Sequence, residues 1–301
     1  MTLTAATHSE KSALMESAAV KGRSLWEDSR RRLLANKAAM AGFVVLGLLV
    51  IIAIFGPFVW PHKFATQYRD ALSLPPTWKD LHILGTDIYG RDMVARVMVG
   101  LRISLTVGVV ATFVSLVIGV AWGAIAGFAG GRIDQLMMRT VDVIYAMPYI
   151  FFVILVTVVF GRSIFLIFLA IGAIEWLTMA RIVRGQTLML KQKEFVEAAR
   201  AAGVRPIGLV VRHILPNLLG PVAVYVTLTI PVVILQESFL SFIGLGVQEP
   251  LTSLGRLISE GQRELGHPWM LFVPAVTMVI TLFSLNFIGD GLRDALDPKD
   301  R

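Results

Sequence analysis

The sequence contains no cysteine and carries little charge, and both features narrow what the chain can be. Without cysteine there can be no disulfide, no thiolate metal site and no cysteine nucleophile. Only 16% of the 301 residues are charged and 55% are hydrophobic, which is more apolar than is usual for a soluble domain. The composition therefore predicts an integral membrane protein.

Several motifs of chemical function are also absent. No Gly-Lys dipeptide occurs, so the chain has no P-loop for ATP, and it has neither H-E-x-x-H nor G-x-S-x-G nor a pair of carboxylates inside an apolar run. The five histidines are scattered without ligand-like spacing: His8, His62, His82, His213 and His267. We therefore expect no catalytic residue, no metal site and no bound cofactor in this chain.

Apolar runs divide the remaining sequence. Residues 38–60 carry no charge and at ~1.5 Å per residue span the ~30 Å core of a bilayer. Further runs at 103–126, 141–160, 164–180, 221–243 and 270–289 bring the number to six. Because a spanning segment must satisfy its own backbone hydrogen bonds, we expect six transmembrane helices in an all-α protein. The fourth run contains Glu175, which we place near its inner end.

The charged segments give the domain organisation and the orientation. We expect an N-terminal segment at 1–37, the first, uncleaved transmembrane helix at 38–60, a polar insertion at 61–101, a five-helix core at 102–290 and a tail at 291–301. Most of the lysines and arginines fall in the segments that are inside if the N-terminus is cytoplasmic. With six spans the C-terminus is then cytoplasmic too, and the net charge of +7 suits the inner face of a membrane.

Few ionisable residues fall within the apolar runs. Asp142 lies at the inner edge of the third run, where an interfacial position and a role in transport are both open. Glu237 lies deeper in the fifth run, either in a transport path or its gate, or in a buried structural hydrogen bond. So sparse a set disfavours an ion-coupled carrier, which needs a relay of ionisable groups.

Residues 194–217, EFVEAARAAGVRPIGLVVRHILPN, form the most polar interruption between apolar runs. The alanines favour a helix supported by a Glu197–Arg200 pair, and Gly203 suits its left-handed C-cap. Pro206 then suits the first turn of a second helix, which we expect Pro216 and Pro221 to end. The flanking membrane spans argue against a DNA-reading motif, so the small-residue surface of this hairpin predicts a contact with another protein and not with nucleic acid.

The same stretch resembles the EAA loop of permease subunits of binding-protein-dependent ABC importers. It has Glu197-Ala198-Ala199, then Gly203, then Leu215-Pro216, but His213 stands where the pattern has isoleucine, and its role is open. Three more segments resemble the second permease subunit of dipeptide, oligopeptide and nickel importers. They are LGTDIYGRDMVARVMVGLRISL (84–105), QESFLSFIGLGVQEP (236–250) and NFIGDGLRDALDPKDR (286–301).

The resemblance implies a type I ABC importer permease in the cytoplasmic (inner) membrane. The loop at about 185–217 would be a coupling helix that fits a cytoplasmic ATPase subunit, through Glu197, Ala198, Ala199, Arg200, Gly203, Leu215 and Pro216. The implied partners are a homologous second permease subunit, two ATPase subunits that hold the ATP and magnesium, an extracytoplasmic substrate-binding protein that docks near the 61–101 insertion, and membrane lipid.

The substrate and two other functional classes stay open at the level of sequence. Peptide importers, dipeptide or oligopeptide, resemble systems for glutathione and nickel chelates. An ion-coupled transporter or channel would act without an ATPase, and a membrane enzyme would need motifs that this chain lacks.

Overall fold

The computed structural model describes residues 25–161 and 163–296. Most of the expected 1–37 segment, including His8, and the last five residues of the expected tail lie outside the described residues. The described part of the chain is helical, with connecting turns and no strand. The helices are α1 (Leu25–Ala35), α2 (Lys37–Val59), α3 (Met93–Ala129), α4 (Gly131–Tyr145), α5 (Tyr149–Phe160), α6 (Ile164–Lys191), α7 (Glu194–Ala201), α8 (Pro206–Leu209), α9 (Leu215–Phe242), α10 (Leu254–Arg263) and α11 (Trp269–Leu296).

Five helical segments among these are long and apolar enough to cross a bilayer. They are Lys37–Val59, Met93–Ala129, Phe165–Lys191, Pro206–Phe242 and Trp269–Leu296. The all-α membrane fold is thus confirmed, and several helices extend well beyond the apolar runs that predicted them. Glu175 lies near the middle of the longer α6, and its expected place near the inner end of the membrane span stays a prediction.

The run 141–160 is not one straight span. It is divided between α4 and α5, which meet at an angle of 82°. Pro148 caps α5, and proline disfavours helical backbone at the residue before it, here Met147. The predicted count of six spans holds if this bent pair counts as one.

The long helices alternate in direction between two ends of the bundle. At one end Trp60, just after α2, donates to Asp92, just before α3. We call this end the cap, and it comprises residues 60–92 and 243–268. At the other end Lys191 of α6 donates to the carbonyl of Phe128 in α3. We call this the hairpin end, because α7 begins there.

Helices α3 and α6 pack backbone to backbone along a row of glycines. A Cβ atom added to Gly123 would lie 2.8 Å from Val183 Cβ, and one added to Gly127 would lie 2.8 Å from Thr187 Cβ. Lipid is as apolar as a leucine side chain, so helices in a bilayer associate through close contact, which small residues permit. The glycine row therefore fixes the distance between α3 and α6.

We expect Gly123→Ala to destabilise the protein. Alanine favours a helix over glycine by about 1 kcal/mol, but its methyl group would overlap Val183 and the carbonyl of Ala180, and overpacking costs about 1–3 kcal/mol. The measurement is the melting temperature of the purified chain in detergent, which should fall by several degrees.

Gly185→Ala is the matched control, because it lies in α6 where an added Cβ has no neighbour within 4 Å. Its melting temperature should stay level or rise. Equal melting temperatures for the two variants would contradict the proposed role of the glycine row.

Candidate functional site

The segment singled out by sequence forms a helical hairpin at the end of α6. The chain leaves α6 at Lys191, turns at Gln192 and Lys193, and enters α7 at Glu194. After α7 it turns again into α8, which continues through a π-helical turn, Val210–Ile214, into α9. The hairpin therefore joins two membrane-spanning helices directly, with no loop long enough to let it move independently.

The turn between α7 and α8 has the local geometry that its sequence predicts. Gly203 has φ +82°, the left-handed conformation that favours glycine. Its N–H donates to Arg200 O (3.0 Å), and the N–H of Val204 donates to Ala199 O (3.1 Å), the two bonds of a Schellman motif. Pro206 occupies the first turn of α8. The predictions for Gly203 and Pro206 are confirmed.

The two prolines that follow do not end the helix. Pro216 lies in the first turn of α9 and Pro221 lies inside it, while the helical segment runs unbroken from Pro206 to Phe242. The π turn precedes Pro216, and such turns supply the altered backbone spacing that a helix needs where proline removes a donor. The predicted helix break is wrong, and the hairpin is consequently coupled rigidly to α9.

A buried apolar contact anchors the hairpin to the bundle. Val196 of α7 and Leu209 of α8 are buried together with Ile214 and Leu218, against Val183 of α6. Ala199 and Leu215 pack partly against the same cluster. One face of the hairpin is thus fixed, which leaves the other face free to contact a partner.

The opposite face is exposed and mixes small, apolar and charged groups. Glu197, Ala198, Arg200 and Gly203 are all exposed, and Pro216 is exposed where α9 begins. Large apolar side chains also point outward here: Phe195, Val211 and Ile207, the last 79% exposed. Within the described residues no ion pair joins Glu197 to Arg200, so the predicted pair is not formed and both charges are available to a partner.

Ion pairs brace the hairpin end below this surface. Arg184 of α6 makes two hydrogen bonds to the carboxylate of Asp134 in α4, at 2.5 and 2.7 Å. Arg181 pairs with Asp142 at 2.9 Å and stacks on the ring of Tyr145. Asp142 is therefore an exposed partner in a clamp between α4 and α6, and a role for it in the transport path stays a prediction.

Glu237 lies fully buried near the cap end of α9. Its carboxyl group accepts hydrogen bonds from Ser241 at 2.6 Å and from Ser104 at 3.5 Å, and Ser104 in turn accepts from the N–H of Leu254 at the start of α10. These contacts match the structural alternative that the sequence left open, whereas a role in the path or its gate stays a prediction.

The cap is held by an ion-pair network that sequence reasoning missed. The carboxylate of Asp87 accepts from Arg91 at 2.6 Å and from Arg96 at 2.5 Å, and all three side chains are buried. Arg96 also pairs with Glu260 of α10 at 2.9 Å, and Glu260 with Arg256 at 2.8 Å. The segment GTDIYGRD gave a local signal in the spacing of Asp87 and Arg91, but Glu260 is too distant in sequence to be connected with them.

The surroundings shift two pKa values in this network. Burial alone would raise the pKa of Glu260, but the positive charge of Arg96 and the hydrogen bond from Arg256 outweigh it, so the pKa lies below its usual value. Burial is the largest single influence on Arg91 and would lower its pKa, but the hydrogen bond to Asp87 and the neighbouring negative charges of Asp87 and Glu260 together outweigh it, so the pKa is raised. Both shifts favour the charged forms, so the network is stabilised as ions.

The fold also brings together two of the histidines that the sequence shows as scattered. His62 and His82 stack at 4.4 Å between ring centroids, and His82 Nδ1 lies 2.8 Å from Asp92 Oδ2. The other contacts of His62 are to the hydroxyl of Tyr68 (2.9 Å) and the carbonyl of Asp80 (2.8 Å). Potential ligand atoms of His62, His82 and Asp92 lie within 4.8 Å of one another, but hydrogen bonds to protein groups already occupy both ring nitrogens of His62.

Arg96→Met tests the cap network. Removing Arg96 leaves the Asp87 carboxylate with Arg91 and the Glu260 carboxylate with Arg256, and the loss of a buried shared partner costs up to about 3 kcal/mol. The melting temperature should therefore fall at pH 7. Because the folded-state pKa of Glu260 is lowered, its contribution is present above the usual value of 4.5 and is lost as the pH falls through the folded value. The difference in melting temperature between Arg96→Met and the wild type should therefore shrink on acidification below pH 4.5.

Arg263→Met serves as the control, because Arg263 is exposed on α10 and makes no ion pair with a described residue. It should melt like the wild type at every pH. If the difference in melting temperature between Arg96→Met and the wild type grows on acidification, this role of Glu260 is contradicted.

Two family models match the chain. Residues 119–301 match the family described as binding-protein-dependent transport system inner membrane component. Residues 24–76 match the N-terminal TM domain of oligopeptide transport permease C. The first match covers more than half of the chain and includes the whole hairpin, and the second covers α1, α2 and the beginning of the cap.

Individual relatives and solved structures agree with this assignment. The chain is 51% identical to the oligopeptide transport system permease protein OppC of Haemophilus influenzae, over 95% of this chain and 93% of that one. It is 46% identical to OppC of Bacillus subtilis (93% and 92% covered) and 44% identical to the dipeptide transport system permease protein DppC of the same organism (91% and 86%).

The fold is similar to that of a chain of the MetNI methionine ABC transporter in inward-facing conformations, with a TM-score of 0.56. The similarity covers 68% of this chain and 98% of that one, and at 22% identity it supports the fold alone. The spans, the hairpin and the comparisons lead to one conclusion: this multi-pass membrane protein belongs to the family of binding-protein-dependent transport system inner membrane components, together with the permeases of oligopeptide and dipeptide transport systems.

Proposed function

We propose that this chain is a permease subunit of an ATP-driven, binding-protein-dependent importer that carries peptides across the cytoplasmic membrane. The observation that carries the proposal is the hairpin Glu194–Leu209, which is anchored on one face and exposed on the other. Its resemblance to the EAA loop and the family membership support the same assignment.

The exposed face of the hairpin has the properties of a docking surface for an ATPase subunit. Ala198 and Gly203 have little or no side chain, so a partner's backbone can approach them closely. Ile207 and Val211 offer exposed apolar area beside them, and Arg200 and Glu197 offer charges for orientation. Interfaces combine an apolar centre with a polar rim in this way.

The energy of transport would come from other subunits. The chain has no P-loop, so ATP and magnesium would be held by two ATPase subunits at the hairpin end, which we place in the cytoplasm. Their closure on ATP would move the hairpin, and with it α6 and α9. A homologous second permease and lipid would cover the exposed apolar faces of the long helices, among them Phe43, Leu48, Phe113 and Phe283.

Peptides are the substrate class that the relatives favour. The relatives at 44–51% identity are named as oligopeptide and dipeptide permeases, whereas glutathione and nickel chelates rest only on the wider resemblance. A substrate-binding protein on the opposite side would deliver the peptide at the cap. Much of the choice among peptides would then be made by that protein.

Ala198→Trp and Glu197→Lys should uncouple the hairpin from the ATPase. The first adds bulk and the second reverses a charge on the exposed face, while the buried anchor Val196 is left intact. We expect ATP-dependent peptide uptake in proteoliposomes to fall at least tenfold, equivalent to about 1.4 kcal/mol of lost interaction. Recovery of the ATPase with the purified permease should fall in parallel.

Val158→Trp is the matched control, because Val158 is 76% exposed on α5, outside both the hairpin and the cap. It should retain uptake and ATPase recovery. Normal coupling in both hairpin variants would exclude the proposed docking surface, and uptake by the purified chain without ATPase subunits would favour a carrier or channel instead.

The cap is the proposed docking surface for the binding protein. Trp78, 79% exposed, and Tyr89 are aromatic side chains on its surface, and such residues often dominate the energy of an interface. Trp78→Ala should weaken binding of the purified binding protein to the transporter about tenfold, measured with the transporter in nanodiscs. Phe58→Ala, an exposed position in the membrane-spanning α2, should leave it unchanged. Equal affinities for the Trp78→Ala, Tyr89→Ala and wild-type proteins would contradict this role.

A further inference from the structure

The bend between α4 and α5 places irregular backbone within a predicted membrane span. Ala146, Met147 and Pro148 separate the two helices, and no side chain caps the start of α5. Non-helical backbone at membrane depth is tolerated where it is buried in protein or lines a water-filled cavity. In transporters, discontinuous helices of this kind often form the substrate site.

A cavity of about 260 Å³ lies beside this bend. Its apolar wall includes Tyr149, Phe152 and Ile174, and its polar groups include Glu175, Thr178 and Gln236. It is smaller than the pockets of about 300–1,000 Å³ that enclose drug-sized ligands. A cavity of this size accommodates the end of a peptide or one side chain, not a whole oligopeptide.

Glu175 is the carboxylic acid among the described residues that line this cavity, and its hydrogen-bonding capacity is only partly used. Its Oε1 accepts from Gln236 Nε2 at 2.7 Å. Among the described residues, its Oε2 has no hydrogen-bond partner, and neither does Gln236 Oε1. Both side chains are partly exposed, near the middle of α6 and in the cap-side half of α9. A carboxyl group at such a depth is costly to keep and by default indicates a function.

Glu237 differs from Glu175 in how its polar atoms are used. It follows Gln236 directly, but it is fully buried and its two oxygens accept hydrogen bonds from Ser104 and Ser241. Its polar atoms are therefore engaged within the protein. Glu175, across a cavity wall from the bend, has an oxygen free to accept a bond from a ligand.

We propose that this cavity is a subsite of the translocation path that receives a primary ammonium group of the substrate, with Glu175 and Gln236 as the acceptors. The inference rests on the proposed function as a peptide permease. An ammonium group has three donors and no acceptor, which complements two unused acceptor oxygens. Gln236 also holds the Glu175 carboxyl group in place through its own N–H, so it is a positioning residue as well as a contact.

The absence of cysteine makes a direct test possible in the assembled transporter with its permease and ATPase partners. Thr178→Cys places a single thiol of this chain in the cavity, at a side chain that is exposed and makes no hydrogen bond with a described residue. The probes are two methanethiosulfonate reagents of similar size, aminoethyl methanethiosulfonate, which bears a primary ammonium group, and sulfonatoethyl methanethiosulfonate, which bears a sulfonate. Each labelling rate is divided by that of the same reagent with a free thiol in solution.

We expect the cationic reagent to label the thiol of the Thr178→Cys variant at least tenfold faster than the anionic reagent after this normalisation. Glu175→Gln should abolish the preference and Glu175→Asp should restore most of it, a pattern that a merely structural role would not produce. Gln236→Leu, as an independent variant, should reduce the preference at least threefold. Glu264→Gln, which removes a carboxylate near the cap, should leave it unchanged.

Peptide competition identifies the source of the ammonium group. If the peptide N-terminus enters the cavity, trialanine should slow the labelling and N-acetyl-trialanine should not. If N-acetyl-Ala-Lys-Ala slows the labelling, the ammonium group in the cavity is that of a lysine side chain. The proposed subsite is overturned if neither reagent labels the thiol. It is also overturned if the two normalised labelling rates are equal and Glu175→Gln changes neither of them. ATP-dependent trialanine uptake by the wild type is measured in parallel, so a failure of the proposed peptide-import function is distinguished from a failure of this subsite.

Discussion

The close contact of α3 with α6 organises the elements on which function would depend. Water drives apolar helices together in a soluble protein, but in lipid the contact itself must supply the attraction. The glycines at 119, 123 and 127 let the backbone of α3 approach α6. The two ion pairs from Arg181 and Arg184 to α4, and the bond from Lys191 to Phe128, extend this contact to the hairpin end.

The contact of α3 with α6 determines the position of the hairpin and how the hairpin would transmit force to the membrane helices. The hairpin is continuous with α6 on one side and, through an unbroken helical segment, with α9 on the other. Val196 and Leu209 tie it to the same apolar cluster that α3, α6 and α9 form. A push on the exposed face would thus move membrane helices and not only a loop. Helices α6 and α9 also supply Glu175 and Gln236, so the proposed docking surface and the proposed subsite share two rigid elements.

Much of the fold follows from local sequence, and the differences have physical causes. Apolar runs of bilayer length predict the spans, and Gly203 and Pro206 predict the hairpin turn because each favours a particular backbone conformation. Pro148 was a local signal for the bend that the apolar character of the run 141–160 outweighed, and a π turn allowed a helix to continue past Pro216. Contacts between distant residues were inaccessible for a different reason: Glu260 with Arg96, and Glu175 with Gln236, meet only when the helices pack.

Docking of the exposed hairpin face on an ATPase subunit is the interaction through which ATP would drive this chain. A structure of the transporter assembled with its partner subunits measures this directly. We expect Ala198, Gly203 and Ile207 to be buried in a groove of the ATPase, with Val196 still packed against α6 and α9. A transporter that binds ATP and imports peptides while this face remains exposed to solvent would contradict the proposed interface.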